Sequence, residues 1–254
     1  MEENFPIVTL TLVFLMILVF LIFNVIVNPS KDLPLELNQT YLEEFGFSPA
    51  NFTAHPYTLV TYSFLHADIF HLVGNISMLL GVGIIAESVL KKFYFLATFL
   101  VSSNTAVIFF IASFKLIPQL QAGYLIGASG GIFGLLAVAA IARPMDGIPI
   151  ALAIVSFFPF LPLVFPSLPF TTYLVVFAIT VGVMLGFFPY FIPVAFAFVV
   201  FFLSILFELI LTPEVSISYL GHFGGILGGI ISFYGFLVGK PKRNYPTLKE
   251  LGIK

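Results

Sequence analysis

The amino-acid sequence predicts an all-α polytopic membrane protein, a helical bundle of about eight transmembrane helices. Hydrophobic residues make up 60% of the chain, charged residues only 9%, and the mean hydropathy is +1.12. Average globular chains carry about 25% charged residues. Because one membrane crossing needs ~20 apolar residues, about 150 apolar residues supply roughly seven or eight crossings.

The same composition excludes several classes of function. The net charge is -2, and no basic run is long enough to follow a phosphate backbone, so we expect no nucleic-acid partner. The high hydrophobic content excludes a disordered chain. There is no cysteine, which excludes disulfides, thiolate metal sites and cysteine nucleophiles. We expect neither a cofactor nor a metal ion.

The apolar runs define the helices in order. The first run, 7–27, follows Met-Glu-Glu-Asn, which lacks the positive leader and the cleavage site of a secretory signal, so we interpret it as a retained transmembrane helix. Further spans are predicted at 69–86, 93–114, 125–141, 149–165, 173–188, 193–211 and 220–238. Pro159 and Pro162 interrupt the run at 149–165, so it is either a full crossing or a kinked or re-entrant piece.

The basic residues predict the orientation. With a cytoplasmic N-terminus, only Lys31 and Lys115 lie outside. The other basic residues all face the cytoplasm: Lys91, Lys92, Arg143, Lys240, Lys242, Arg243, Lys249 and Lys254. Both termini are then cytoplasmic and the number of crossings is even, eight or six. We treat 1–254 as a single membrane domain with an outer loop at 29–67 and a cytoplasmic tail at 239–254, in the plasma membrane of a prokaryote.

The first polar cluster inside a predicted span runs from His66 to Asn75. His71 and Asn75 are one helical turn apart, so they project from one face near the outer end of the second span. A lone membrane histidine is equally well explained by an interhelical hydrogen bond, but an asparagine on the same stripe favours a joint site. Asp68 is predicted to cap this helix.

Two glycine-rich clusters open the fourth and the last span. Ser129 follows Gly127 in the first turns of a helix, where unpaired N–H groups and a positive dipole would stabilise an oxyanion. His222 stands beside glycines 221, 225 and 229, which leave one side of that helix as nearly bare backbone. Taken alone, each cluster is also explained as a helix-packing seam, with the serine bonded to its own helix and the histidine wetted at the membrane surface.

Depth favours a common site. On the predicted topology Ser129, His222, His71 and Asn75 all lie roughly 3–10 Å below the outer surface. A serine, an imidazole and a His/Asn donor pair at one level are the nucleophile, general base and oxyanion donors of acyl transfer. An even number of crossings between Ser129 and His222 would separate them and exclude this interpretation.

At these positions the chain resembles the rhomboid family of intramembrane serine proteases. The family motif H-x-x-x-x-H-x-x-x-N corresponds to His66, His71 and Asn75, G-x-S-G to Gly127, Ser129 and Gly130, and H-x-x-G-x-x-x-G to His222, Gly225 and Gly229. The resemblance implies a six-helix core, a Ser129/His222 dyad, and oxyanion stabilisation by His71, Asn75 and the Ser129 N–H. It also implies a structural role for Glu87 at the inner end of the second span.

The chain departs from the family pattern in three places. The Trp-Arg pair of the first outer loop is absent, and Tyr57-Thr58 stands near that point. Phe133 replaces the tyrosine that can stack on the catalytic imidazole, and its ring can still support that imidazole. The stretch from Ser129 to His222 is longer than one intervening helix needs, so we expect an extra hairpin added to the six-helix core.

The expected function is cleavage of the transmembrane segments of other membrane proteins near their outer ends, with the lipid bilayer and such proteins as partners. The oligomeric state is left open. One alternative is a transporter or channel, for which Glu208 is a candidate ion-path residue, although it can also reach the surface near Pro213. The other alternative is an inactive relative that binds membrane proteins, against which the presence of both Ser129 and His222 argues.

Overall fold

The structure is a computed structural model that describes residues 5–28, 35–116, 123–156, 191–211 and 217–237, with single positions at 172, 175, 176 and 179. The described residues are mostly helical, which confirms the predicted fold class. The long helices are α1 (Ile7–Phe20, continued by a π-helix at Leu21–Ile26), α4 (Ile69–Val89), α5 (Lys92–Leu116), α6 (Ser129–Ala142), α8 (Val194–Leu211) and α9 (Ile217–Leu237). The short elements are α2 (Gln39–Phe45), α3 (Thr58–Thr61), a 3-10 turn (Tyr62–Phe64), β1 (Gly147–Pro149), α7 (Ile150–Ser156) and β2 (Phe191–Pro193).

Several helices match the predicted spans. Among the described residues, the stretches Ile7–Ile26, Ile69–Val89 and Lys92–Ser113 are long and apolar enough to cross a membrane, and shorter apolar helices run over Ser129–Ala142, Val194–Leu206 and Leu220–Phe236. The predicted spans at 149–165 and 173–188 lie mostly outside the described residues. The number of crossings therefore stays a prediction.

Helix α6 is the centre of the bundle. It packs against α4, α5, α8 and α9, and Leu135, Leu136 and Val138 are all 0% exposed. Small residues let the backbones of neighbouring membrane helices come close together. Helix α6 holds three glycines and four alanines among its 14 residues, which fits its central position.

The prediction that the fourth span starts at Leu125 is wrong by four residues, because α6 begins at Ser129. Leu125 instead forms an isolated β-bridge with Phe47 of the outer loop. Gly127 has φ +104, a conformation that cannot continue an α-helix, so the helix can start only after it. The chain therefore reaches Ser129 through an extended and tightly turned segment.

This late start makes α6 shorter than a hydrocarbon layer is thick. The 14 residues of α6 rise about 21 Å, against a layer of ~30 Å. The opposite end of α6 is followed by an ion pair between Arg143 and Asp146, with Nε and Oδ2 2.9 Å apart, as expected at a membrane surface. A helix of this length leaves roughly 9 Å of such a layer unspanned.

A small antiparallel sheet joins the ends of the segment between α6 and α8. Gly147 pairs with Pro193, and Pro149 pairs with Phe191. The backbone N–H of Val194 also donates to Asp146 O at 2.9 Å. The sequence predicted no strand here, because two three-residue strands leave no periodic signal. The sheet therefore brings the residues just before α7 beside the residues just before α8.

Helices α1 and α4 are joined by a buried carboxyl group at the end opposite the site. Glu87 Oε1 accepts from Val8 N at 2.9 Å, and Oε2 accepts from Thr9 N at 2.8 Å and Thr9 Oγ1 at 2.7 Å. The first N–H groups of a helix lack internal partners. Glu87 thus caps α1 from a neighbouring helix, the kind of structural contact that the resemblance implied.

The loop at 35–67 is folded over the beginning of α6. Phe47 and Tyr62 are each 1% exposed and pack with Phe110 of α5. Tyr62 OH donates to Ser103 O at 2.6 Å, and Tyr62 O accepts from Gly127 N at 2.9 Å. The loop therefore fixes the glycine that precedes the serine helix.

Candidate active site

The site lies at the end of the bundle where α4, α6 and α9 begin, which we call the site end. Ser129 is the first residue of α6, and His222 is in the second turn of α9. Ser129 Oγ and His222 Nε2 are 2.8 Å apart, a hydrogen-bond distance. His222 is only 9% exposed, and Ser129 is partly exposed. The two side chains share one end of the bundle. They are therefore not on opposite sides, as an even number of crossings between them would have required.

Glycines bring the two helices this close. A Cβ atom on Gly225 would lie 2.2 Å from Gly130 O, and one on Gly229 would lie 2.2 Å from Gly134 O. These neighbours are backbone atoms, which cannot move without moving a helix. We call this contact the glycine seam, formed by Gly130 and Gly134 of α6 and Gly225 and Gly229 of α9.

The prediction of one bare face on α9 is incomplete. Gly221 is in ordinary contact, its Cβ position being 3.6 Å from Ala106 O. A second face, formed by Gly224 and Gly228, presses on α5, with Cβ positions 2.7 Å from Thr105 O and 2.6 Å from Ser102 Cα. Two bare faces thus hold α9 between α5 and α6. In each of the pairs at 224–225 and 228–229, the first glycine packs against α5 and the second packs against α6.

An aromatic ring supports the imidazole. The rings of Phe133 and His222 have centroids 4.6 Å apart and planes 30° apart. Phe133 is 3% exposed and also meets Phe201 of α8 edge-on, at 5.8 Å. The aromatic support that the resemblance placed at Phe133 is therefore present as a tilted ring pair, and it restricts rotation of His222.

His71 and Asn75 lie next to the turn that precedes Ser129. A Cβ on Gly127 would be 2.7 Å from His71 Nε2 and 3.7 Å from Asn75 Nδ2. Asn75 is 5% exposed and uses Nδ2 to donate to His71 O at 3.0 Å, which occupies one of its two N–H groups. The two donors predicted for an oxyanion site are thus on the same side as Ser129.

Gly127 is required by both its conformation and its surroundings. Its φ of +104 disfavours any side chain, and the His71 ring occupies the place of a Cβ. Gly130 meets Ala106 on one side, at 2.7 Å from a Cβ position, and Gly225 on the other. Both glycines therefore shape the beginning of α6.

His66 lies behind His71 and is 0% exposed. The two rings meet edge-on with centroids 5.1 Å apart, and His66 Nδ1 is 3.2 Å from Phe64 O. Removal from water, with a smaller contribution from His71, lowers the pKa of His66 well below that of a free imidazole. His66 is thus a neutral packing partner of His71.

Asp68 caps α4 as predicted, since Asp68 Oδ1 accepts from His71 N at 2.9 Å. Sequence reasoning missed Asn24, which lies inside the first span and is 1% exposed. The signal was present, because an amide within an apolar run needs a partner in the protein. Within the described ranges, no three His, Cys, Asp or Glu side chains are placed to hold a metal ion.

Fold and site together define a polytopic membrane protein with a serine–histidine pair at one end of its helical bundle. A match to the rhomboid domain covers residues 53–197, more than half of the chain. The chain therefore belongs to the rhomboid family, a family of intramembrane serine proteases that also has inactive members. No curated protein and no solved structure matches the chain.

The family match includes Ser129 but not His222. Residues 53–197 include His71, Asn75 and Ser129 but end before His222. The role of His222 therefore rests on the motif that it begins and on its contact with Ser129.

Proposed function

We propose that the protein is an intramembrane serine endopeptidase that cleaves transmembrane segments of other membrane proteins near their outer ends. The observation that carries this proposal is the 2.8 Å distance between Ser129 Oγ and His222 Nε2. Membership of the rhomboid family supports it, since that family is one of intramembrane serine proteases.

The reaction follows from the positions of the side chains. His222 Nε2 takes the proton of Ser129 Oγ while Oγ bonds to the carbonyl carbon of a peptide. The resulting oxyanion accepts hydrogen bonds from His71, Asn75 and the Ser129 N–H. When the C–N bond breaks, His222 returns the proton to the leaving amine. A water molecule then gives a proton to His222 and attacks the acyl ester, and the proton returns to Ser129 as the carboxylic acid leaves.

We propose a dyad rather than a triad. The function of a third residue in fixing the ring falls to Phe133 and to the close packing of α9. Phe133 lies one turn after Ser129 on α6, so a single helix carries the nucleophile and the support of its base.

The depth of the site points to the substrate. Ser129 begins a helix too short to span the layer, so water can reach it from the site end while the rest of α6 stays dry. A peptide bond in a membrane helix is shielded by its own hydrogen bonds. Segments with Gly, Pro or other helix-weakening residues are therefore the preferred substrates. Equal cleavage of a poly-Leu segment would contradict this preference.

The proposal includes the orientation. We place the protein in the plasma membrane of a prokaryote, with eight crossings, both termini in the cytoplasm and the site end outside. The asymmetry of the basic residues supports this orientation. Because the chain has no cysteine, single cysteines added near each terminus can be tested with a membrane-impermeant thiol reagent. Labelling of either terminus in intact cells would overturn the orientation.

The test of the activity is covalent labelling of Ser129 by a serine-directed fluorophosphonate in detergent micelles. We expect labelling of the wild-type protein and none of Ser129→Ala or His222→Ala. A transporter, a channel or an inactive relative would show no labelling in any of the three. The side chain of Glu208, the candidate ion-path residue, lies outside the described residues.

A further inference from the structure

Asn24 is a buried amide in the π-helical end of α1. It is 1% exposed, and its Nδ2 donates to Leu35 O at 2.9 Å and to His66 O at 3.2 Å. Both N–H groups of the side chain are therefore used, on carbonyls of two separate segments of the outer loop. π-Helical turns are rare in proteins, and those that occur are often found at functional sites.

The peptide group between His66 and Ala67 connects Asn24 to the site. Its carbonyl oxygen, that of His66, accepts from Asn24, and its N–H, that of Ala67, donates to His71 Nδ1 over 3.4 Å. In a trans peptide the C=O and N–H lie in one plane and point in opposite directions. Holding the carbonyl therefore aims the N–H. The next peptide is also fixed, because Leu37 N donates to Ala67 O at 2.8 Å.

This contact favours one of the two positions of the proton on the His71 ring. A nitrogen that accepts an N–H is unprotonated, so in the neutral ring the proton is on Nε2. Nε2 and the adjacent Cε1 form the edge of the ring that faces Gly127, each 2.7 Å from the position of a Cβ there. The protonated nitrogen thus faces the turn before Ser129, where an oxyanion donor is required.

The other carbonyl held by Asn24 belongs to a strained residue. Leu35 has φ 61, the only positive φ of a non-glycine residue in the described part of the chain. Such a conformation is sparsely populated and persists when the surroundings impose it. Here the Leu35 carbonyl accepts from Asn24, and its side chain packs against the core. The strained conformation of Leu35 directs its carbonyl oxygen toward Asn24.

We propose that Asn24 is a positioning residue that sets the tautomer of His71 through the His66–Ala67 peptide. The catalytic consequence rests on the proposed function, whereas the tautomer itself does not. Asn24 touches no reacting atom. Asn24 fixes the His66–Ala67 peptide, whose N–H donates to His71 Nδ1. Nδ1 is then unprotonated and Nε2 carries the proton.

The first test reads the tautomer directly. The chain has only four histidines, so ¹⁵N-histidine labelling gives four rings to assign by NMR in micelles, with His71→Gln identifying one of them. We expect His71 in the wild-type protein to show an unprotonated Nδ1 and a protonated Nε2. A protonated Nδ1 in the wild-type protein would overturn the proposal, whatever the variants do.

The second test compares Asn24→Leu with Asn28→Leu. Asn28 is also buried and also holds the loop, donating from Nδ2 to Glu36 O at 2.7 Å and Asn24 O at 3.3 Å, but these bonds do not involve the His66–Ala67 peptide. We expect Asn24→Leu to lower kcat about 10- to 100-fold with KM unchanged, as loss of an outer-shell partner does, and to change the His71 tautomer. Asn28→Leu should keep both kcat and the tautomer.

The outcomes are distinguishable. Equal kcat values and equal His71 spectra for the two leucine variants would show that Asn24 is merely structural. If the wild-type protein neither labels nor cleaves, the proposed function fails, yet the His71 spectra of the wild-type protein and Asn24→Leu still decide the positioning role. If Asn24→Leu does not fold, the wild-type spectrum still tests the proposal, because a protonated Nδ1 of His71 would overturn it.

Discussion

Two contacts hold the helices that carry the site, and they work in opposite ways. At the glycine seam, α6 and α9 meet backbone to backbone, with Gly130 O facing Gly225 and Gly134 O facing Gly229. Between α1 and α4 the contact is a side chain, Glu87, whose carboxyl group accepts three hydrogen bonds. We call this second contact the Glu87 tether.

The difference follows from what each contact must do. Lipid is as apolar as leucine, so helices in a membrane associate through close packing and hydrogen bonds. The seam sets the distance between Ser129 and His222 and leaves no room for adjustment. The tether joins helix ends away from the site and can tolerate small shifts. Changes at the seam should therefore alter activity, and changes at the tether should alter stability.

Gly225→Ala should have the largest effect. Its methyl group would lie 2.2 Å from Gly130 O, so α6 and α9 must separate. A displacement of about 1 Å at a catalytic pair can cost 100-fold in rate, and overpacking typically costs about 1–3 kcal/mol. We expect fluorophosphonate labelling to slow by at least about 100-fold and the unfolding temperature in micelles to fall.

Gly235→Ala is the matched control, on the same helix with no atom within 4 Å of its Cβ position. Alanine in place of glycine in a helix is favourable by roughly 0.5–1 kcal/mol, so this variant should be as active as the wild type and slightly more stable. Equal labelling rates for both alanine variants would show that the seam does not set the geometry.

Asn75→Ala tests the site end of α4, the helix that carries Glu87 at its other end. Removing one oxyanion donor costs about 100-fold or more in turnover. Because Asn75 bonds within its own helix turn, to His71 O, we expect little change in stability. The measurement is kcat on a reconstituted transmembrane substrate, beside a thermal unfolding curve. A loss of stability with kcat intact would make Asn75 structural.

The sequence could predict those parts of the fold that long apolar runs and single motifs define. The helices carrying His71, Ser129 and His222 are close to their predicted ranges, and the Asp68 cap is correct. The start of α6 was misplaced because Leu125 and Ile126 are apolar, and hydropathy does not distinguish a buried bridge from a helix.

The contacts that depend on three-dimensional proximity could not be predicted. Nothing in the run around Asn24 indicates that its partners are Leu35 and His66, which the fold alone brings together. The second glycine face of α9 was missed for the same reason, since Gly224 and Gly228 are recognisable only once α5 is placed beside them.

Glu87→Gln tests the tether. The amide NH₂ would face one of the N–H donors of Val8 and Thr9, leaving a buried group unpaired. Hydrogen bonds to charged groups contribute about 1.5–3 kcal/mol, so we expect a loss of stability in that range, measured by unfolding in micelles. The folded fraction should label at the wild-type rate. A slower rate in that fraction would mean that the tether also sets the site.

Ser88→Ala is the control for Glu87→Gln. Ser88 is adjacent and bonds only within its own helix, to Ile85 O, among the contacts of the described residues. Its substitution should change stability by less than about 0.5 kcal/mol.

Phe133→Leu tests the part of the site that the seam does not fix, the rotation of the His222 ring. Aromatic pairs contribute about 0.5–1.5 kcal/mol beyond their buried area, so we expect kcat to fall about 2- to 10-fold. Phe201→Leu is the control, because Phe201 meets the far edge of Phe133. If both variants lower kcat equally, loss of packing rather than loss of the stacked ring explains the effect.

Apart from the control variants, Thr9→Val should have the smallest effect. Thr9 is 0% exposed, and valine keeps its shape while removing the hydroxyl that donates to Glu87 Oε2 at 2.7 Å. One hydrogen bond contributes about 1 kcal/mol, and Thr11→Val, whose hydroxyl bonds its own helix on an exposed face, should change less. Because both hydroxyl and carboxyl belong to one contact, Thr9→Val combined with Glu87→Gln should cost less than the sum of the two. Additive losses in unfolding free energy would mean that Thr9 stabilises α1 independently, and that the tether consists of the two backbone N–H groups alone.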